Sequence, residues 1–379
     1  MKFNIKKEEL LKLLRFSEKI IDSKNTTNPI LNCINLVINK NQSKCICSNG
    51  VISGSYEIPN ESLNVEENGR ILIKNRILLE IVSKIKDEEI YFHKIENTVL
   101  LIKTKKFSSE INIIDDSTYP NINFENNDLP YIEISNNTIN DILKKNTSST
   151  YNDVNQVKAI SGIYFDTKIN KGKLTTLSTD TFKLAYLESK INTDFETSFI
   201  ANVSSLNIVS QLFKQNDKNI IFYIDEINKK ILIKDNNITI IDRAINEEFP
   251  VTIFLNAFKI NSKTQITISK EELINALELG RVTVNLEKNP LSIFDVKNNS
   301  LEITSSSFEI GSSKNTLDLI EMNGDNVKIA FNITFLLTLL KNIDSETIKL
   351  TIESNMKPML IVGENENFKE LILPSRLNN

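Results

Sequence analysis

Phe3-Asn4-Ile5-Lys6-Lys7-Glu8-Glu9-Leu10-Leu11 returns far along the chain as Thr267-Ile268-Ser269-Lys270-Glu271-Glu272-Leu273-Ile274, and more faintly as Glu133-Ile134-Ser135-Asn136-Asn137-Thr138-Ile139. Each copy reads as a short alternating strand running into an amphipathic helix. Ile5, Ile134 and Ile268 align, 129 and 134 residues apart. A second set keeps the same period: Ile71-Leu72-Ile73, Phe199-Ile200-Ala201 and Ile329-Ala330-Phe331 each precede a helical stretch. The strands that follow those helices begin at Ile90, Ile220 and Ile348, spaced by 130 and 128 residues. A period shared by two separate helices marks an internal triplication.

The rest of each copy alternates like strands. Residues 34–38, 44–48 and 51–58 match 162–166, 173–178 and 183–189, then 292–296, 300–304 and 308–312. Polar turns such as Asn39-Lys40-Asn41, Asn170-Lys171-Gly172 and Lys297-Asn298-Asn299 separate them. Two more strands follow each second helix: 99–102 with 107–114, 231–233 with 238–241, and 359–362 with 368–373. Each copy thus carries two helices and about eight strands. Hairpin-linked strands are antiparallel and the helices cover one face, an α+β architecture. Polar linkers divide the chain into 1–125, 126–257 and 258–379.

Composition narrows the chemistry. Nine glycines in 379 residues are far below the usual ~7%, and no phosphate-cradling glycine motif occurs. His93 is the only histidine, which removes nearly all nucleophile–histidine and multi-histidine metal arrangements. The cysteines, Cys33, Cys45 and Cys47, are odd in number and lack zinc spacing, so they read as reduced thiols. No metal or cofactor is expected. Asp115 and Asp116 are adjacent carboxylates, but on a strand they point to opposite faces and cannot cooperate in hydrolysis. No apolar run approaches the ~18 residues of a membrane span and no signal peptide opens the chain, so a cytoplasmic, non-membrane protein is expected.

The helix faces are polar and modestly basic. In the first helix Leu10, Leu13, Leu14 and Ile21 are expected to face the sheet, opposite Glu8, Lys12, Arg15 and Lys19. Later helices carry Lys74, Arg76, Lys84 and Lys86, then Lys144 and Lys145, then Lys214 and Lys341. Asn275 and Glu278 replace Lys12 and Arg15 in the third copy. With a formal net charge of −4, this pattern permits weak, sequence-blind phosphate contact and not a dense basic groove reader.

Five local motifs carry a family resemblance: Thr27-Asn28-Pro29-Ile30-Leu31 after the opening helix; Leu177-Ser178-Thr179-Asp180-Thr181-Phe182-Lys183-Leu184-Ala185; Asn246-Glu247-Glu248-Phe249-Pro250; Phe331-Asn332 before Phe335-Leu336-Leu337; and Leu373-Pro374-Ser375-Arg376-Leu377. In this order, on a triplicated module, they resemble the bacterial sliding clamps, the beta subunits of DNA polymerase III. The resemblance implies a non-catalytic processivity factor. It would form a head-to-tail homodimer whose six modules close a ring around duplex DNA, and it would tether polymerase, clamp loader and repair proteins. It puts Lys12, Arg15, Lys24, Lys74, Lys84, Lys144, Lys158 and Lys214 near DNA, and Phe107, Ile111 and Ile113 at the dimer joint. It implies a partner-peptide pocket lined by Ile160, Thr179, Lys183, Leu184, Pro250, Leu255, Met356, Pro358, Leu371, Leu373, Pro374 and Arg376. Thr181, Phe182 and Lys183 depart from the family's Gly-His-Arg, and Lys lacks the donor fork with which Arg holds a carboxylate. Phe254 stands where the family has Arg. The alternative is a repeat-built scaffold that binds no DNA, which accounts for the triplication but not for the ordered motifs.

Overall fold

The computed structural model describes residues 1–379 apart from 22–27, 126–127, 152–158, 192, 194, 214–218, 377–379 and the side chain of residue 116. The first module runs β1 (Lys2–Lys6), α1 (Lys7–Ile20), β2 (Cys33–Ile38), β3 (Ser43–Ser48), β4 (Ile52–Ile58), β5 (Leu63–Glu67), β6 (Gly69–Lys74), α2 (Asn75–Lys84), β7 (Glu89–Ile95), β8 (Val99–Lys103) and β9 (Ser108–Asn112). The second has β10 (Tyr131–Ser135), α3 (Asn136–Asn146), β11 (Ile163–Asp166), β12 (Lys173–Thr179), β13 (Lys183–Lys190), β14 (Ser198–Ala201), α4 (Val203–Leu212), β15 (Asn219–Asp225), β16 (Lys230–Asp235), β17 (Ile238–Arg243) and α5 (Val251–Ala257). The third has β18 (Thr264–Ser269), α6 (Lys270–Val284), β19 (Leu291–Lys297), β20 (Ser300–Ser307), β21 (Gly311–Asp318), β22 (Glu321–Gly324), β23 (Val327–Asn332), α7 (Ile333–Asn342), β24 (Thr347–Ile352), β25 (Met359–Val362) and β26 (Phe368–Ile372).

The helices start where local chemistry predicts. Ser269 Oγ accepts the Glu272 N–H at 3.4 Å to cap α6, and Asn332 Oδ1 accepts the N–H groups of Thr334 and Phe335 to cap α7. Glu8 and Glu9 in the first turn and Lys19 in the last suit the dipole of α1.

The strands form four antiparallel sheets, ordered β5-β1-β7-β8-β9, β10-β15-β16-β17-β4-β3-β2-β6, β14-β11-β12-β13-β26-β25-β24-β18-β22 and β21-β20-β19-β23. Every module is therefore split. Its first and last three strands make one half-sheet, and its middle three, with the strand before the second helix, make the other. Half-sheets of successive modules fuse at β4–β17 and at β13–β26. By packing, the chain divides into Met1–Asn136 with Ser204–Ala244, and Asn137–Val203 with Ile245–Asn379, so the compact units cut across the repeat.

In the first unit Leu10, Leu13, Leu14, Phe16 and Ile20 are buried, each worth roughly 1.5–3 kcal/mol of apolar transfer. Ile20, not Ile21, ends that stripe, because a helix ending at Ile20 leaves Ile21 in extended backbone, half-buried. Phe3 and Phe92 stack 5.0 Å apart across β1 and β7. In the second unit Leu273 and Leu277 of α6 and Leu336 and Leu340 of α7 are buried, and Tyr164, Leu177, Ile200 and Phe249 belong to another buried cluster.

Three details differ from the sequence reading. Modules one and three gain a ninth strand, β5 and β22, each an exposed edge pairing the module's first strand and too polar to alternate visibly. Residues 308–310 form a turn, not a strand; β21 begins at Gly311, whose φ of +114° a side chain would strain. Asp115 and Asp116 are not on a strand either. Asp115 Oδ1 accepts the Ser117 N–H at 3.0 Å, capping the short helix Asp116–Thr118.

Candidate functional site

The basic side chains fall into two groups. On the first unit Lys12, Arg15, Lys19, Lys74, Arg76, Lys84 and Lys86 are exposed on α1 and α2 or beside them. Lys12 lies 3.3 Å from Glu9, and Arg76 3.1 Å from Glu80. On the second unit the cations of the described helices are answered. Lys144 Nζ sits 2.5 Å from Asp344, and Lys341 and Arg281 both reach Glu278, at 2.9 and 3.0 Å. Lys145 turns inward, one residue being about 100° of helix. It is buried, 2.8 Å from Asp141 and over the Phe368 ring. Lys24, Lys158 and Lys214 lie outside the described residues.

The peptide-pocket residues separate by strand parity. Leu184 pairs with Thr179 and with Leu371, so these three share one face of the nine-stranded sheet. Leu177, two residues before Thr179, belongs to the same face, in a cluster against which Ile160, Leu255, Phe254 and Phe258 pack. Pro250 is the residue from which α5 starts. Pro358 is half-buried just before β25, and Met356 is exposed in the preceding turn. Leu373 is partly exposed, and its N–H donates to Phe182 O at 2.9 Å. Pro374 and Arg376 follow it, with the Ser375 N–H on Ala330 O. Thr179 and Leu371 are fully buried and make the wall, not the lining. Of the expected peptide shelf, Ile160, Leu255, Met356, Leu373 and the three prolines remain at least partly accessible.

Lys183 does not belong to that shelf. Its parity turns it to the helix-covered face, where its Nζ donates to Ser148 O at 2.5 Å, sits 3.3 Å from Asp180 and lies over the Phe335 ring. The carboxylate it was expected to hold on a peptide is already supplied from within the chain. Beyond it, Glu370 is fully buried, with Oε1 accepting from Asn342 Nδ2 at 3.0 Å and no partner for Oε2. Burial pushes its carboxyl well above the usual range, against the pull of Asn342, Lys183 and Lys145.

Two family models match the chain: the N-terminal domain of the DNA polymerase III beta subunit over residues 1–123, and its C-terminal domain over residues 256–376. This chain belongs to the DNA polymerase III beta-subunit family. The beta sliding clamps of Mycoplasma pneumoniae and Mycoplasma genitalium are each 28% identical to it, over 99% of this chain and 100% of theirs. That of Bacillus subtilis is 26% identical over the same shares. Among solved structures, the Bacillus subtilis DNA polymerase sliding clamp superposes over the whole of both chains with a TM-score of 0.89 at 23% identity. The beta subunit from Streptococcus pyogenes does so with 0.88 at 22%. The clamp fold that the ordered motifs imply for the triplicated module is the fold of the molecule.

The residues expected at a dimer joint are unequal. Phe107 is exposed and Ile111 half-buried, but Ile113 is buried, its N–H donating to Thr98 O. Sequence reasoning missed the short helix α5, with Ile253 exposed on it. It missed the pair Phe182–Phe335, centroids 5.7 Å apart, and the exposed Ile77, Leu279, Val282 and Phe308. Apolar residues on a stripe predicted polar were the available signal. The cysteines are buried; Cys45, beside Ser17, has its thiol pushed up to about 12 by burial. His93 lies in β7 beside Tyr91. No helix among the described residues is long and apolar enough to cross a membrane.

Proposed function

We propose that this clamp acts as a head-to-tail homodimer. In that form it encircles duplex DNA and holds its partners by short peptides on the apolar shelf, with no catalysis of its own. The observation that carries the reading is the sheet pattern. Three equivalent seams are possible, third strand of one half-sheet against last strand of the next. Two are closed within the chain, β4–β17 and β13–β26. The third pair, β21 and β9, is left as two unpaired edges. Such edges template pairing with another copy, and a heterologous contact that closes makes a ring. Phe107 and Ile77 near one edge, and Leu279 and Val282 near the other, are the exposed apolar residues such a seam covers.

Lys12, Arg15, Lys74 and Lys84 are the cations available to phosphates, with Lys144 tempered by Asp344. Retention by enclosure needs little binding energy, which fits an acidic protein. The division 1–125, 126–257 and 258–379 is kept as the unit of repetition. The test is loading on nicked circular DNA with a clamp loader, then linearising. Release at the free ends is expected; retention on linear DNA overturns enclosure. Leu373→Asp should abolish capture of a partner polymerase peptide while the dimer persists, and loss of the dimer instead would make that segment structural.

A further inference from the structure

At the closed seam β13–β26, the β12–β13 turn projects Phe182 onto Phe335 in the first turn of α7, centroids 5.7 Å apart. The residue matching Phe335 at the open seam can be counted, because α7 and α2 are in strict register. Both are ten residues long and both are closed by isoleucine, Ile343 and Ile85. Both lead to an equivalent backbone contact, Lys270 N–H to Glu346 O and Lys7 N–H to Glu88 O. Phe335 of α7 therefore corresponds to Ile77 of α2, and Ile77 is 42% exposed. The turn equivalent to β12–β13 is β20–β21, and it carries Phe308 at 103% exposure with Ile310 at 49%.

Within this chain the described structure covers neither side. Ile77 lies at a groove of about 520 Å³ beside α2, whose apolar walls include Ile21, Pro29 and Leu79. The Phe308 turn is held in shape, not loose. Ser307 Oγ donates to Glu287 Oε1 at 2.6 Å and accepts the Glu309 N–H at 3.3 Å, and Gly311 supplies the positive φ. An exposed aromatic ring on a braced turn, matched with an apolar groove, is the form of an interface anchor, since little ordering is lost when it seats.

We propose that Phe308 is the anchor of the seam between copies, its ring seated on Ile77 of the second copy at the mouth of that groove. The inference rests on the dimer reading above and adds to it the side chain that locks the joint. It assigns the closed-seam contact Phe182–Phe335 and the open-seam contact Phe308–Ile77 to one structural role. It also explains why an apolar ring is kept at the tip of a water-exposed turn.

The chain contains no tryptophan, so Phe308→Trp places a single reporter at the site. In the dimer its emission is expected to be blue-shifted, and to move to that of a water-exposed indole on dilution, in step with dissociation followed by sedimentation. Phe308→Ala should weaken the seam about 30-fold, and a ring with two such seams loses on the order of 1000-fold in dimerisation constant. Ile77→Asp should do the same, whereas Phe182→Ala, at a seam closed within the chain, should leave the dimer constant unchanged. A Phe308→Trp dimer whose indole emission stays water-like, or a dimer that tolerates Phe308→Ala within about twofold, overturns this assignment and spares the dimer. A wild-type chain that remains monomeric overturns both.

Discussion

At the β4–β17 seam, Phe16 and Ile20 of α1 close over Gly54, which pairs with Ile240. At the β13–β26 seam, the residues at the same distances from the helix start are Lys145 of α3 and Ser149 in the short turn beyond it, and the paired residues are Ala185 and Glu370. Counting from the helix starts at Lys7 and Asn136 makes Phe16 and Lys145 equivalent. The first layer is apolar around Gly54, with the buried carboxyls of Glu9 and Asp242 farther along it, each bonded by a hydroxyl (Tyr56, Ser205); the second has the Glu370 carboxyl at its centre, with Lys145 and Lys183 nearby. Shape and strand pairing are common to the two, the polarity of the centre is not. Burial stabilises the apolar centre of the first seam directly, whereas the second spends part of its attraction on desolvation.

The largest test of that contrast puts a charge into the apolar centre of the first seam. Phe16→Lys buries an ammonium where Glu9 is already taken by Tyr56 and Lys12, and should cost roughly 3–5 kcal/mol, read by urea unfolding. Adding Ile240→Glu should return part of the loss; no recovery would show that the two seams differ in backbone as well as in side chains. Next, a Cβ on Gly54 would come within 2.3 Å of Ile20 and 2.6 Å of Phe16. Gly54→Ala should therefore cost about 1–3 kcal/mol in the same unfolding measurement, although alanine stands unstrained at the equivalent Ala185.

Glu370→Gln tests the second seam. A carboxyl whose folded pKa is raised contributes stability in full below its unfolded value, and loses it as pH rises from there through the folded value. The wild type should lose stability over that window and the glutamine variant should not, so the gap in melting temperature should widen with pH. A parallel pair of curves would mean that Lys145 and Lys183 hold Glu370 charged. The smallest effect is expected at Thr181, a β-branched residue at φ +78°. Relief of about 1–2 kcal/mol of left-handed strain is partly offset by glycine's freedom when unfolded. Thr181→Gly should gain less than about 1 kcal/mol, and a clear loss would reveal a contact for that side chain.

Much of this was legible in the sequence. Ile5, Ile134 and Ile268 announce the triplication, and most strands lie within a residue or two of where alternation puts them. What escaped was rotation and partnership. Lys144 and Lys145 are neighbours in sequence, yet one is exposed and the other buried, and composition cannot settle which. Lys183 and Leu184 point to opposite faces, so a pocket drawn by motif mixed two sides of one sheet. Phe308-Glu309-Ile310 has strand composition, but Gly311 turns the chain there. The seams join strands ~180 residues apart, and no local pattern encodes which distant edge a strand will find.

Those distant pairings set a timetable for the nascent chain. At ~5–20 residues per second, the ribosome needs on the order of ten to forty seconds after finishing β4 to deliver β17, and a similar wait separates β13 from β26. Throughout that interval an apolar strand edge stands open to any neighbouring chain. The second of these exposures closes only when β26 emerges. A shortened product ending before Phe368 would carry an uncapped template for aggregation into the cell.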